Sequence, residues 1–204
     1  MRRPCRCGLF LPPTGRPSRL SWIRKGRILR SVNDKILPLL GRRSVRVYRP
    51  GAAVSDAELR ALLEAAMAAP SAMACDPWRF LVVRERADLD ALAELLPYGQ
   101  MLRQAALGIV VCGDPAQAHR QERSYLLQDC SAAVENLLIA AHLLGLGAVW
   151  LGVHPNEDRV AGIRRQFGVP ETILPVAAVA VGRPAETPEP RTRFNPDFVH
   201  NGRW

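Results

Sequence analysis

"RSYLLQDCSAAVENLLIAAHLLGLGAVWLG" (residues 123–152) reads as one long helix running into a strand. Leu126, Cys130, Ala133, Val134, Leu137, Leu138, Ala141 and Leu144 recur at helical spacing. Their stripe is too wide for a helix packed on one side, so burial on more than one side is expected. Gly145 and Gly147 end the helix, and "AVWLG" (148–152) follows as a strand. The glycines of "GLGAVWLG" follow a helix and precede a strand, the reverse of what a dinucleotide-binding turn needs. They read as a helix exit and a strand entry.

Working outward, helices and buried strands alternate. "SDAELRALLEAAMAA" (55–69) opens with a capping box of Ser55 and Glu58, and Pro70 stops it. Leu59, Leu62, Leu63 and Ala66 lie on its apolar face. "ADLDALAELLPY" (87–98) is a second amphipathic helix, stopped by Pro97. "NEDRVAGIRRQFG" (156–168) is a third, capped by Asn156, with Val160, Ile163 and Phe167 inward and Gly168 as its exit. "RFLVV" (79–83) and "LGIVVCG" (107–113) read as strands, and the nearly all-apolar "ILPVAAVAVG" (173–182) as a central one. "NDKILPLLGRR" (33–43) is a helix with Asn33 as possible cap, kept short or kinked by Pro38. The result is an α/β or α+β layered domain.

The net charge of +9 resembles a nucleic-acid signal, but its distribution argues otherwise. Residues 1–30 carry nine basic side chains and no acid; removing these nine from 28 leaves 19 basic against 19 acidic residues. The fold, residues 31–204, is therefore neutral, and the excess charge sits on a Pro- and Gly-containing extension, 1–30, read as disordered. An early start codon, a basic arm and a targeting segment are all open origins for it. Five scattered cysteines without a CxxC pair read as reduced thiols in a cytoplasmic protein. No run of 18 apolar residues marks a membrane span.

"GRRSVRVYRP" (41–50) places Arg42, Arg43, Ser44, Arg46 and Arg49 where no acid occurs between Asp34 and Asp56. Such guanidinium forks suit a phosphate, which they bind bidentately. A solvated basic turn is the alternative from these residues alone. No P-loop or G-x-S-x-G occurs, and the four histidines lack metal spacing. His142 reads as a packing histidine. Chemistry by the chain's own side chains is thus poorly supported, which points to a cofactor or to a binding role.

Five stretches, in order, resemble the nitroreductase-like flavoproteins over about residues 33–204: "RRSVRVY", "APSAMACDPWRFLVV", "DCSAAVENLLIAAHLLGLGAVWLG", "VAVGRPAE" and "PRTRF…VH…W". The resemblance implies an α+β fold with a mixed sheet. It implies a domain-swapped homodimer with FMN at the interface, and ping-pong reduction of a small electrophilic substrate with NADH or NADPH as donor. By the same resemblance, Arg42 and Ser44 meet the phosphate or ribityl chain, with Arg43 contributing backbone, and Arg46 lies near the flavin pyrimidine edge. Arg191 and Arg193 complete the phosphate site, and Pro70, Ser71, Ala72 and Met73 are laid by the partner against the flavin. The backbone of Leu151 and Gly152 faces N5 and O4 of the ring. Trp78 reads as a core anchor.

The chain departs from the family pattern at Ala74, where Asn is usual, and at Asp76, where Gln is usual; the Asp76 carboxylate is available for a salt bridge elsewhere. These departures motivate a second reading, a flavin-binding protein without turnover. A third, nucleic-acid or membrane binding through residues 1–30, fits less well because the fold itself is neutral. Tyr98, Met101, His119 and Tyr125 are candidates for the substrate pocket wall. Phe194, Phe198, Val199 and Trp204 lack a companion core in the C-terminal segment and are expected to bury on a second subunit.

Overall fold

The computed structural model describes residues 36–189 and 193–204. Asn33, Arg191 and the basic extension 1–30 lie outside the described residues.

Helix α4 (Arg123–Leu143) is the spine of the fold. Leu126, Cys130, Ala133, Val134, Leu137, Leu138 and Ala141 are all buried on it. Its stripe is wide because it is packed on two sides, against α2 (Asp56–Met67) and against the sheet. Leu144 leaves the stripe: it follows the helix end and is partly exposed. His142 is exposed rather than packed inside; its imidazole borders Gly41, where a Cβ would stand 3.2 Å from Nε2.

Four strands, β1 (Trp78–Val83), β2 (Leu107–Gly113), β3 (Gly147–Gly152) and β4 (Leu174–Gly182), form a sheet of order β1-β2-β4-β3. All three strand pairs are antiparallel. The expected mixed character is confined, among the described residues, to an isolated parallel bridge between Ser44 and Ala148. All nine residues of β4 are buried, as their composition requires of a strand covered on both faces. On one face, Gly113 of β2 leaves room for Leu126 of α4. On the other, Gly108 lies against Leu89 and Leu92 of α3 (Arg86–Leu95). Helix α5 (Glu157–Phe167) packs beside α3, where Gly162 meets Leu95.

The capping signals act as expected. Ser55 accepts from the Glu58 amide, and the Glu58 carboxylate accepts from the Ser55 amide. These bonds to Ser55 lead the causes that hold the Glu58 carboxyl below its ordinary range. Helix α1 (Leu37–Gly41) is short and not kinked, because Pro38 occupies its first turn, where no backbone donor is needed. Trp78 is a buried core residue.

One buried tyrosine ties the segment after α1 to the sheet. Tyr48 Oη lies 2.8 Å from the Val45 carbonyl and 3.1 Å from that of Ala180, and burial pushes its phenol pKa up. Residues 44–48 therefore run between two neighbours. On one side Val45 N–H donates to Ala148 of β3 (3.0 Å). On the other, Arg49 N–H donates to Arg183 and Ala185 N–H to Val47, both at 2.9 Å. The Glu186 carboxylate accepts from the amides of Arg46 and Val47. Through these bonds the two distant parts of the sequence rich in arginine come together.

Candidate functional site

Where the chain leaves β4 and passes residues 44–48, a crevice of about 600 Å3 opens. Arg42, Arg43, Ser44, Arg46 and Arg193 line it with Leu39, Leu40, Pro188, Glu189 and Phe194. Four guanidinium groups thus share one space with a single acidic residue. Arg42 Nε is 3.3 Å from Glu135 on α4, in a partly exposed pair worth about 1 kcal/mol or less. A doubly charged phosphate competes well for such a guanidinium. Arg43 does more than lend backbone. Its guanidinium donates to the carbonyls of Leu40 (2.8 Å), Arg42 (2.6 Å) and Glu189 (3.1 Å), fastening the C-terminal segment to the end of α1. Arg46 and Arg193 are exposed in the crevice.

Arg46 also belongs to a smaller adjoining cleft of about 180 Å3, bounded by Leu96, Pro97, Tyr98, Val149, Trp150, Leu151, Gly152 and Arg159. The main chain of Leu151–Gly152 forms part of its wall. A Cβ on Gly152 would meet nothing within 4 Å, so the missing side chain leaves open space. Arg159, on the first turn of α5, donates from Nη1 to the Gly152 carbonyl at 2.9 Å and fixes this peptide. Of the four pocket-wall candidates, Tyr98 lines this cleft. Met101 packs against the core, and His119 and Tyr125 stack edge-on with ring centroids 5.1 Å apart. These three line neither space.

Pro70, Ser71, Ala72 and Met73 lie elsewhere, on the loop between α2 and β1, and border neither space within this chain. The loop is strained and tightly held. Met73, Ala74 and Asp76 have φ of 54°, 53° and 49°, the left-handed region that costs an L residue roughly 1–2 kcal/mol. Asp76 makes no ion pair among the described residues; it accepts from the Ser71 hydroxyl at 2.5 Å while its own amide donates back to Ser71 Oγ at 3.1 Å. Asn tolerates the left-handed region better than most residues, so an Asn at position 74 would suit this backbone better than Ala. The backbone keeps that conformation with Ala present.

Asp129 anchors this loop from below. It is the one buried charged residue among those described, 5% exposed, on the inner face of α4. Its Oδ1 accepts from the Ala72 amide at 2.9 Å, while Oδ2 has no protein partner. Sequence reasoning missed Asp129 and Arg159. The signal for Asp129 was an acid amid a buried apolar stripe; Arg159 sat on an ordinary charged helix and gave none.

A fold of this kind, with arginines from two separated stretches of the sequence converging on an open crevice, fits a phosphate-bearing cofactor. Among the described residues no group of histidine, cysteine and carboxylate side chains could hold a metal ion. The chain belongs to the Nitroreductase family, whose profile matches residues 39–183. It is 45% identical over 171 residues to a protein of Methanothermobacter thermautotrophicus provisionally named NADH dehydrogenase/NAD(P)H nitroreductase, covering 84% of this chain and 88% of that one. A crystal structure from Parabacteroides distasonis with the same provisional name superposes with a TM-score of 0.79 at 38% identity, covering 84% of this chain and 99% of the other. A provisionally named nitroreductase from Desulfovibrio desulfuricans, crystallised in complex with FMN, superposes with a TM-score of 0.73 at 32% identity, over 85% and 99% of the two chains.

Proposed function

We propose that the chain is an FMN-dependent NAD(P)H oxidoreductase that reduces small nitro, quinone or enone acceptors. The observation that carries this reading is the convergence of Arg42, Arg43, Ser44, Arg46 and Arg193 on one crevice, joined through Arg46 to a cleft walled by Leu151 and Gly152. The donor set fits FMN. A flavin mononucleotide ends in a phosphate dianion, and several guanidinium forks answer it. The open space at Gly152 leaves room for a flat ring to approach the backbone. The names of relatives support the donor and cofactor: one in Salmonella typhimurium is an oxygen-insensitive NADPH nitroreductase, one in Bacillus subtilis an FMN reductase (NADPH).

The residues divide the work. Arg42, Ser44 and Arg193 would hold the phosphate end, and Arg43 fixes the crevice wall by tying the C-terminal segment to α1. Arg46 places a positive charge between crevice and cleft, where it favours negative charge on the bound ring. The Leu151–Gly152 backbone, held by the bond from Arg159 to the Gly152 carbonyl, would wall the site of the ring. The chemistry FMN supplies when bound is hydride transfer in two half-reactions, in from NAD(P)H and out to the acceptor. No side chain of this chain is assigned an acid or base role; solvent reaches the cleft and supplies protons.

The working unit is a homodimer in the cytoplasm. Phe194, Phe198 and Trp204 are 77%, 78% and 101% exposed, far too open for three aromatic residues in one segment unless a second chain covers them. In such a dimer the partner brings its Pro70–Met73 loop to the flavin, which explains why that loop borders neither space within one chain. No helix among the described residues is long and apolar enough to cross a membrane.

The test is anaerobic. Protein loaded with FMN and freed of excess should be yellow, should bleach on adding NADH or NADPH, and should give parallel double-reciprocal lines with menadione. Protein that binds FMN but is bleached by neither nucleotide would instead select the reading without turnover. Light scattering should give a mass near twice that of one chain; a monomer at micromolar concentration would remove the dimer.

A further inference from the structure

We propose that Asp129 is a positioning residue for the flavin reaction: it presets the strained Ser71–Asp76 loop, and through that loop it acts on the FMN held by the other chain of the dimer. The inference rests on the flavoenzyme and dimer reading above and adds to it a residue buried away from both crevice and cleft. A carboxylate inside an apolar core costs free energy unless it is paired and hydrogen-bonded. Asp129 is 5% exposed and joins no ion pair among the described residues. The other buried side chains of α4 are Leu, Val, Ala and Cys, so packing alone would favour an apolar residue at 129. Only one of its oxygens is used: Oδ1 accepts from the Ala72 amide at 2.9 Å, and Oδ2 has no partner in the chain. The acid at this position therefore serves the Ala72 amide.

That amide stands at the head of a strained stretch. Of the five non-glycine residues described with left-handed φ, three fall just after it: Met73, Ala74 and Asp76. Such conformations persist only where the surroundings over-determine them, and they gather where geometry is preset for function. Two clamps do so here. Asp129 holds the loop from the core side, at Ala72. Asp76 and Ser71 close it across its base, with bonds of 2.5 and 3.1 Å. The loop they fix adds little to the core of its own chain. Met73 is 78% exposed, and Ala74 and Asp76 are exposed as well. A loop that is strained, clamped twice and turned outward is shaped for something beyond its own chain. In the dimer proposed above, that is the partner's flavin. Once loosened, the loop must regain its shape before each hydride transfer, and the rate falls by the fraction of time it is misplaced.

The experiment follows anaerobic bleaching of FMN-loaded protein by saturating NADH or NADPH, with amide exchange over residues 71–76 as the reading of the loop. Asp129→Ala should slow bleaching by roughly tenfold or more, as the loss of one charge-assisted hydrogen bond implies, and should speed exchange in the loop. Asp129→Asn keeps an acceptor for the Ala72 amide and should recover much of the rate. Asp76→Ala loosens the exposed clamp without touching the core, so it should slow bleaching even if Asp129→Ala fails to fold. Mixed dimers then test the action across chains. One chain carries Asp129→Ala and the other Arg42→Gln/Arg193→Gln, each slow or inactive as a homodimer. Their mixed dimer should regain about half the wild-type rate, because both lesions fall on one of its two sites and the other is whole. A general destabilisation gives no such recovery, since it would also disable the Asp129→Ala chain's own arginine crevice. Bleaching at the wild-type rate in both Asp129→Ala and Asp76→Ala overturns the proposal and spares the flavoenzyme reading. Slow bleaching with unchanged loop exchange overturns it, and so does a mixed dimer no faster than the Asp129→Ala homodimer. Wild-type protein that neither nucleotide bleaches overturns both.

Discussion

Replacing Gly147 by Ala should damage the arginine crevice from a distance. Gly147 opens β3, and an added Cβ there would stand 2.7 Å from Val45 Cγ1, 2.9 Å from Val45 Cβ and 3.3 Å from Pro184 Cβ. Carbon atoms rest at about 3.5–4.0 Å, so the strand carrying Val45 must retreat by roughly 0.6–1 Å. The Val45 Cβ sits directly on the backbone, so no rotamer change relieves the clash. Overpacking of this kind costs about 1–3 kcal/mol. For a chain of this size that is about 2–12 °C in Tm. The retreat also carries Ser44 and Arg46, the neighbours of Val45, away from β3. Loss of one charge-assisted hydrogen bond to the cofactor costs about 1.5–3 kcal/mol, or roughly 10–100-fold in FMN affinity. Thermal melts of the apoprotein and flavin-fluorescence titrations read both effects. Gly152→Ala is the control. Nothing lies within 4 Å of its added Cβ, so apoprotein stability should move by less than about 0.5 kcal/mol while turnover falls as the methyl enters the cleft. A Gly147→Ala protein with unchanged Tm and unchanged FMN affinity would refute the reasoning that the Val45 contact positions the crevice.

Three further outcomes are expected. Asp129→Ala should leave the Ala72 amide unpaired and lower the local stability of the Ser71–Asp76 loop by about 1–3 kcal/mol, seen as faster amide exchange there; Asp129→Asn, which keeps an acceptor, should change it less. Ala74→Asn should raise stability by about 0.5–1 kcal/mol, because φ of 53° suits Asn better than Ala; an unchanged or lower Tm would contradict this. Burial pushes the Cys112 and Cys130 thiols up to about 12, from 9 when exposed. The unfolded chain therefore loses these protons first. Their contribution to stability is complete below about pH 9 and is lost as pH rises towards 12, which urea melts across that range will show.

Much of this was legible in the sequence because burial and capping are local codes. The stripe on α4 marked a two-sided helix, the apolar run of 174–182 marked the central strand, and Ser55 with Glu58 marked a helix start. The crevice residues 42–46 stood out because no acid dilutes them. What stayed hidden depends on where distant pieces meet. Nothing local tells that Arg193 returns to Arg42, since that return is made by pairing of residues 44–48 with 183–186 and by the Arg43 guanidinium on Glu189. Arg159 is one of many helix-surface arginines until its bond to Gly152 is seen. Asp129 has a function only through the amide of a loop 57 residues away. His142 was misjudged because proximity to apolar residues in sequence does not say which side of a helix end faces water.

The central claim, that guanidinium groups from two separated stretches grip a single phosphate, is tested most directly by comparing FMN with riboflavin, which lacks that phosphate. Titrations should show wild type binding FMN at least tenfold more tightly than riboflavin, from one charge-assisted contact alone. In Arg42→Gln/Arg193→Gln the two flavins should become nearly equal. Equal affinity for both flavins in the wild type, or an FMN preference that survives the double substitution, would contradict the account.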